Sequence, residues 1–348
     1  MTSLLHCDLP EIDQIANFKV GKFIGRGAMA FVFKARRENG LDRPLALKFL
    51  TAEHFTKDRI RSLERESYLS ARLTHPHIIS ATEFGQNDEF AWAAFPYISG
   101  ACLHKFVSVG NPIKRASEER KKRYQWLTDQ FSNNWRNIAR MGAQIASALQ
   151  YCNDHDILHR DIKPANILID RAGNAWLTDF GIAWGPDKRL QSGYLENSAG
   201  TPRFTAPEVF SKQRDQRSDL FSLGMVLYET AIGHQAWLGL NDKQLNERRP
   251  ELVLPRIFHV QPAVPVPLIR IIEKALAEDP DQRFQSAREM ESALLQFAYG
   301  ADEPRQAFAR TRSAERRMVR PSQSAAGLEM PTLTRAESEN LRACISDA

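Results

Sequence analysis

The chain has 348 residues, 43% of them hydrophobic and 26% charged, with 47 Lys and Arg against 42 Asp and Glu. That is enough apolar material for one large or two modest packed domains, and the small, dispersed net charge of +5 argues against a dedicated nucleic-acid binder. No apolar run approaches the roughly 18 residues that span a bilayer, the start has no signal-peptide core, and Cys7, Cys102, Cys152 and Cys344 form no CxxC pair that would suggest a zinc site or disulfide framework. A reduced, cytoplasmic setting is the expectation.

In chain order, Phe18 to Ile24 and Phe31 to Ala35 read as strands around a Gly-rich turn, and Pro44 to Leu50 as a third. Between Asp58 and Leu73, Ile60, Leu63, Leu69 and Leu73 recur at helical spacing. From about residue 137 the pattern becomes helical: Ile138, Met141, Ile145 and Leu149 step by three and four. Leu220 to Ile232 is apolar nearly all round, as a buried helix would be. Leu268, Ile271, Ile272 and Ala275, then Met290, Leu294 and Phe297, predict two further amphipathic helices. The class is therefore α+β, a small β-rich lobe followed by a larger α-helical one.

Two segments stand apart. Asn111 to Arg136 holds seven Lys and Arg, three acidic residues and few aliphatics; it reads as an inserted, solvent-exposed helix or loop. Residues 301–348, with eight Arg, seven acidic residues and eight Ser and Thr, read as a disordered tail.

Several residues suggest chemistry. Gly25 to Val32 joins the first two strands, and glycines there let a backbone approach a polyphosphate and point N–H groups at it; a plain hairpin turn is the competing reading. Lys48 lies on a strand otherwise suited to burial. It is either an edge lysine or the partner of Glu66, which shares a helix face with Leu63, Leu69 and Leu73; Glu66 could equally pair with Arg59 or Arg61 on a solvated face. The strongest signal is the pair of segments Leu158 to Asn166 (LHRDIKPAN) and Thr178 to Gly181 (TDFG), each beside a short apolar strand. Two carboxylates and an Asn within 19 residues suit Mg²⁺, which favours hard oxygen ligands completed by substrate phosphates.

These motifs, with Ala206-Pro207-Glu208 and Ser218 to Gly224 following in order, resemble the catalytic domain of eukaryotic-type serine/threonine protein kinases from about Phe18 to Phe297. The resemblance implies a bilobal kinase-like fold: an extension over 1–17, a catalytic domain over 18–298 (small lobe about 18–95, large lobe about 99–298, insertion 111–136) and a tail over 299–348. It implies ATP and Mg²⁺, with Mn²⁺ an acceptable substitute, and protein substrates. Ile24, Gly25, Gly27, Ala30 and Val32 would roof the nucleotide, with Val32 and Ala46 sandwiching the adenine. Lys48, oriented by Glu66, would hold phosphates. Phe95 would be the gatekeeper, and the Pro96 carbonyl and Ile98 backbone would meet the adenine edge. Asp161 would accept the substrate proton, Lys163 would meet the transferred phosphoryl group, and Asn166 and Asp179 would hold the metal. His159 and Phe180 would pack, Glu208 would pair with Arg283, and Asp219 would brace the catalytic loop.

Lys163, two residues after Asp161, follows the serine/threonine pattern, and Gly200 to Phe204 resembles a protein-substrate docking segment. Arg160 before Asp161 implies activation by phosphorylation, for which Ser192 and Ser198 are the candidates; Tyr194 is also available, and Thr201 is expected instead to contact Asp161 and Lys163. The basic stretches 111–136 and 305–320 are candidate contacts for an acidic partner, against the alternatives of a solvated decoration and a linker. No transmembrane segment and no nucleic-acid partner are expected. The first rival reading is a pseudokinase that binds nucleotide without turnover; the second, a kinase of a small molecule, is disfavoured by Gly200 to Glu208.

Overall fold

Alternating buried and exposed residues build the first half of the chain into antiparallel strands. The structure, a computed structural model, describes residues 12–26, 30–38, 43–51, 56–110, 116–185, 200–211, 213–248 and 253–300. Strands β1 (Gln14–Ile15), β2 (Phe18–Arg26), β3 (Phe31–Arg37), β4 (Leu45–Thr51), β5 (Glu83–Gln86) and β6 (Phe90–Pro96) form one sheet in the order β1-β2-β3-β4-β6-β5. On β3, Phe31, Phe33 and Ala35 point into the core while Arg36 and Arg37 are exposed, the period of two that a half-buried strand requires. Phe33 packs tilted against Phe49 at 5.5 Å between ring centroids and edge-on against Phe23 at 5.3 Å. The sheet begins at Gln14, ahead of residue 18, because Ile15 is buried against Phe18.

Helix α1 (Lys57–Ala71) crosses this sheet. Thr56 caps it by accepting the Arg59 N–H, a contact of a kind that stabilises a helix by about 1 kcal/mol. Its inner face carries Leu63, Glu66 and Leu69, and Leu73 just beyond it is buried in the core of the helical lobe.

Beyond Pro96 the chain becomes helical. A small sheet comes first, β7 (Gly100–Cys102) pairing with β8 (Ile167–Asp170) and β8 with β9 (Ala175–Leu177). The helices are α2 (His104–Val109), α3 (Glu118–Phe131), α4 (Trp135–Asn153), α5 (Pro207–Phe210), α6 (Gln216–Ile232), α7 (Asp242–Arg248), α8 (Ile257–Val260), α9 (Val266–Ala275) and α10 (Ala287–Tyr299). Helix α6 is buried on all sides from Ser218 to Ile232, so its neighbours α4, α9 and α10 wrap it. Gly233 ends it at φ 78°, a left-handed conformation that glycine adopts without a Cβ penalty.

The inserted stretch is a structured helix from residue 118 onward. Ser117 caps α3, and Leu127 and Phe131 bury its inner face; Phe131 packs on Phe106 at 5.7 Å. Trp126 stacks under the Arg171 guanidinium at 4.4 Å. On its outer face Glu118 pairs with Lys121 and Glu119 with Arg123, so the surface is mixed in charge rather than uniformly basic. Residues 111–115, the tail 301–348 and its Arg-rich portion lie outside the described residues. Among the described residues no helix is long and apolar enough to cross a membrane, and Cys102 and Cys152 are free thiols.

Candidate active site

Strand register gathers one half of the site. Across β3 and β4, Val32 faces Lys48; across β4 and β6, Ala46 faces Phe95 and Leu45 faces Pro96. Ala30 and Phe95 are buried in one apolar cluster against which Ala46, Ile98 and Leu168 pack. Gly25 pairs with Val32 at the sheet rim, and Ile24 beside it is 45% exposed. Gly27 lies outside the described residues.

Lys48 sits on a central strand, not an edge, and its ammonium has two carboxylates. Its Nζ lies 2.6 Å from Glu66 Oε2 and 3.6 Å from Asp179 Oδ1. Glu66 is buried, so the solvated pairing with Arg59 or Arg61 does not occur. Burial alone would depress the Lys48 pKa, but Asp179 and Glu66 outweigh it and hold the ammonium above its ordinary value. For Glu66 burial dominates over the pull of Lys48, and its carboxyl is pushed up to about 7.

The half of the site around Asp161 hangs from helix α6. Asp219 accepts the His159 N–H at 2.8 Å and the Arg160 N–H at 2.9 Å. Those bonds hold Arg160 at φ 68°, and Asp179 is likewise at φ 68°; each such backbone costs about 1–3 kcal/mol and persists only where its surroundings fix it. The His159 ring packs edge-on against buried Phe180 at 4.7 Å, and its Nε2 lies 3.2 Å from the Thr178 carbonyl. Leu158 and Trp184 exchange backbone hydrogen bonds at 3.0 and 2.8 Å, tying the start of this loop to the segment after Gly181.

Asp161 is the meeting point. Its carboxylate lies 2.6 Å from Lys163 Nζ, accepts the Thr201 hydroxyl at 2.8 Å and accepts the Asn166 amide at 3.0 Å. Lys163 donates in turn to Thr201 Oγ1 at 2.9 Å. Asp179, whose side chain is 43% exposed, has its pKa lowered by Lys48 foremost; that pull, with smaller ones from Lys163 and His159 and the Gly181 N–H, outweighs its desolvation.

The donor chemistry here fits a hard divalent cation. Asp179 offers an ionised carboxylate, and Asn166 spends its NH₂ on Asp161, which leaves its amide oxygen as the remaining donor atom. Among the described residues no three His, Cys, Asp or Glu side chains gather into a cage that would hold an ion alone. Mg²⁺ suits such a sparse set, because it is usually bound by one or two carboxylates with substrate phosphates and water.

Two contacts were not anticipated from sequence. Arg65, next to Glu66 on α1 and buried, donates from Nη2 to the Ala183 carbonyl at 2.5 Å, so adjacent residues of one helix reach Lys48 and the segment after Gly181. Its charge hides among Arg59, Arg61 and Glu64, and only the helical step to Leu69 marks it as inward-facing. Farther out, Arg203 approaches Glu229. The expected Glu208–Arg283 pair is present and bidentate at 2.8 Å on both arms. Ser192, Tyr194 and Ser198 lie outside the described residues.

A model of the protein kinase domain matches residues 18–295 of this chain. The chain is similar to the serine/threonine-protein kinase PrkC of Bacillus subtilis, 29% identical over 287 residues that cover 82% of this chain and 41% of the relative. It is similar to pkn3 of Myxococcus xanthus, 29% identical over 80% of this chain and 49% of that protein, and to PknH of Mycobacterium bovis, 28% identical over 91% and 49%. The chain thus spans half or less of the length of these relatives.

Proposed function

This chain belongs to the protein kinase domain family, in its eukaryotic-type serine/threonine branch, and we propose that it transfers the γ-phosphoryl group of Mg·ATP to serine and threonine hydroxyls of protein substrates, itself included. ATP and a divalent metal are what the family works with in general; Mg²⁺ at Asp179 and Asn166 is our specific assignment. The observation that carries the reading is the convergence of Asp161, Lys163 and Thr201 within 2.6–2.9 Å of one another, in the lobe whose Asp179 also reaches the Lys48–Glu66 pair.

In this reading the catalytic domain runs over 18–298. Val32 and Ala46 enclose the adenine, Phe95 closes its back wall, and the Pro96 carbonyl and Ile98 backbone meet its polar edge, while Gly25, with Gly27, Ile24 and Ala30, covers the phosphates. Lys48, kept charged by its two carboxylates, grips the α and β phosphates. Asp161 accepts the proton of the substrate hydroxyl, and Lys163 swings from Thr201 to the transferred group. Mg²⁺ would neutralise charge on the phosphates. Phosphoryl transfer has a loose transition state, so positioning and charge neutralisation of this kind supply most of the rate. We place this activity in the cytoplasm, where ATP is supplied and thiols stay reduced. An acidic partner at 111–136 would meet a mixed surface on α3, where Lys121 and Arg123 already pair with Glu118 and Glu119.

The test is intact-mass spectrometry of dephosphorylated full-length protein after incubation with Mg·ATP, beside Asp161→Asn. Phosphate gained by the wild type alone supports transfer to protein, and fragment masses show whether Ser192 or Ser198 receives it. No gain, and no transfer to a generic protein substrate, would leave the nucleotide-binding scaffold as the reading.

A further inference from the structure

Arg65 is the residue of α1 that stability explains least. It is buried, 6% exposed, yet its Nη2 donates to a single backbone carbonyl, that of Ala183, and its Nε has no partner. Among the described residues no carboxylate pairs with it; the neighbouring Glu66 is turned to Lys48. Burial accordingly depresses its pKa. Buried Arg283, by contrast, uses every guanidinium nitrogen, on Glu208 and on the carbonyls of Ala277, Arg217 and Glu278. An uncompensated buried cation is costly, and an apolar side chain in such a place is often neutral or stabilising.

The place of Arg65 supplies what stability does not. Consecutive helix residues point about 100° apart around the axis. Glu66 and Arg65 therefore brace α1 on two sides, one against Lys48 on β4 and the other against the segment after Gly181. One turn further on, Leu69 lies beside Gly185, where a Cβ would stand 3.6 Å from both Leu69 Cδ2 and Ile157 Cγ1. Between these contacts Trp184 exchanges backbone hydrogen bonds with Leu158, and its ring faces the Arg160 guanidinium at 5.7 Å. Asp161 follows directly. The Ala183 N–H returns to the Phe180 carbonyl at 3.1 Å, next to Asp179. A chain of contacts thus runs from α1 through residues 183–185 to the loop bearing Asp161 and back to Asp179.

We infer that Arg65 is a positioning residue: by holding the Ala183 carbonyl it fixes Asp179 and the Asp161 loop to the helix that orients Lys48, so that both halves of the site are set together. A guanidinium suits the task because it stays protonated when buried, and a hydrogen bond from a charged donor is about twice as strong as a neutral one. The effect of Arg65 on rate rests on the kinase reading above; the coupling itself does not.

The experiment compares the full-length wild type, Arg65→Met and Arg65→Lys. Thermal unfolding and backbone hydrogen–deuterium exchange are measured without nucleotide, then peptide phosphorylation with Mg·ATP. Arg65→Met should keep its unfolding midpoint to within about 4 °C. Exchange in the peptides carrying Leu158 and Trp184 should nevertheless quicken about tenfold or more, the effect of losing one charge-assisted hydrogen bond, while α6 is unchanged. The kcat should fall by a similar factor with KM for the peptide within about twofold, which marks lost positioning rather than lost substrate binding. Arg65→Lys, which keeps a charged donor, should recover part of both changes. A folded Arg65→Met with unchanged exchange at Leu158 and Trp184 overturns the inference, as does an Arg65→Lys no better than Met. An Arg65→Met that fails to fold or melts far lower also overturns it, because Arg65 then serves stability alone. A wild type that transfers no phosphate overturns the kinase reading; the exchange measurement needs no turnover and still decides the coupling.

Discussion

Removing the carboxylate of Glu208 should cost the helical lobe a large part of its stability. The Arg283 side chain is 0% exposed and that of Glu208 10% exposed, and they meet through two hydrogen bonds of 2.8 Å. Glu208→Ala leaves Arg283 with three backbone carbonyls and the longer-range pull of Asp215 in place of a bonded carboxylate. Breaking a buried pair from one side costs about 3–5 kcal/mol, and at about 2–4 °C per kcal/mol for a domain of this size the midpoint should drop by roughly 6–20 °C. Arg283→Met should cost a similar amount, leaving Glu208 with the Ser218 hydroxyl at 2.7 Å and a weaker, longer-range attraction to Arg214. The double variant Glu208→Leu/Arg283→Met should lose clearly less than the sum of the singles, because neither charge is then buried alone. Thermal unfolding followed by near-ultraviolet circular dichroism, at fixed nucleotide concentration, reads all three. Singles that move the midpoint by less than about 2 °C, or singles that simply add, would refute the argument. Acid gives an independent check. Burial would raise the Glu208 pKa, but the bonds from Arg283 and Ser218 outweigh it and hold it below the ordinary 4.5. Its contribution is thus complete above 4.5 and is lost as pH falls through the depressed value.

Other expectations follow from single contacts. Because the Glu66 carboxyl is raised to about 7, its pairing with Lys48 is complete only above that value. The KM for ATP should rise as pH falls from 8 to 6, and Glu66→Gln should flatten that dependence; an unchanged profile would disprove the assignment. The linked stability has the opposite sense, present below the ordinary 4.5 and lost as pH rises through about 7. Thr201→Val deletes the hydroxyl that donates to Asp161 and accepts from Lys163, so kcat/KM for protein substrates should fall about 10- to 100-fold, with Thr201→Ser close to wild type. Gly100→Ala would place a Cβ 1.9 Å from the Ile169 carbonyl oxygen; strand β7 must shift, at a cost of about 1–3 kcal/mol or more, and both the unfolding midpoint and the affinity for nucleotide should drop.

Much of the site was legible because its residues fall where secondary structure ends. Asp161, Asn166 and Asp179 interrupt apolar strands, and Asp219 breaks an otherwise apolar helix, so polar residues in such places advertise themselves. Lys48 and Glu66 needed three dimensions to become a pair: periodicity put Glu66 on the inner helix face but could not say which strand it met. The six-stranded sheet exceeded the three strands read from sequence, because β1 has only two residues, β5 buries none of its four, and β6 is buried on both faces and so shows no alternation. Helix α3 was half-legible. Tyr124, Leu127 and Phe131 keep helical spacing, but the charges between them dominate the composition, so its docking against Phe106 and Arg171 could not be foreseen. Arg65 and Arg203 stayed hidden for a common reason: an arginine in a polar-looking stretch reads as solvated until the backbone carbonyls it serves are located.

The backbone of Arg160 is held in its costly conformation by a carboxylate rooted in α6, the most enclosed helix of the lobe. The loop bearing Asp161 therefore has no stability of its own to lose first. Heating should not yield a folded but inactive species, and thermal inactivation should coincide with cooperative melting of the helical lobe rather than precede it.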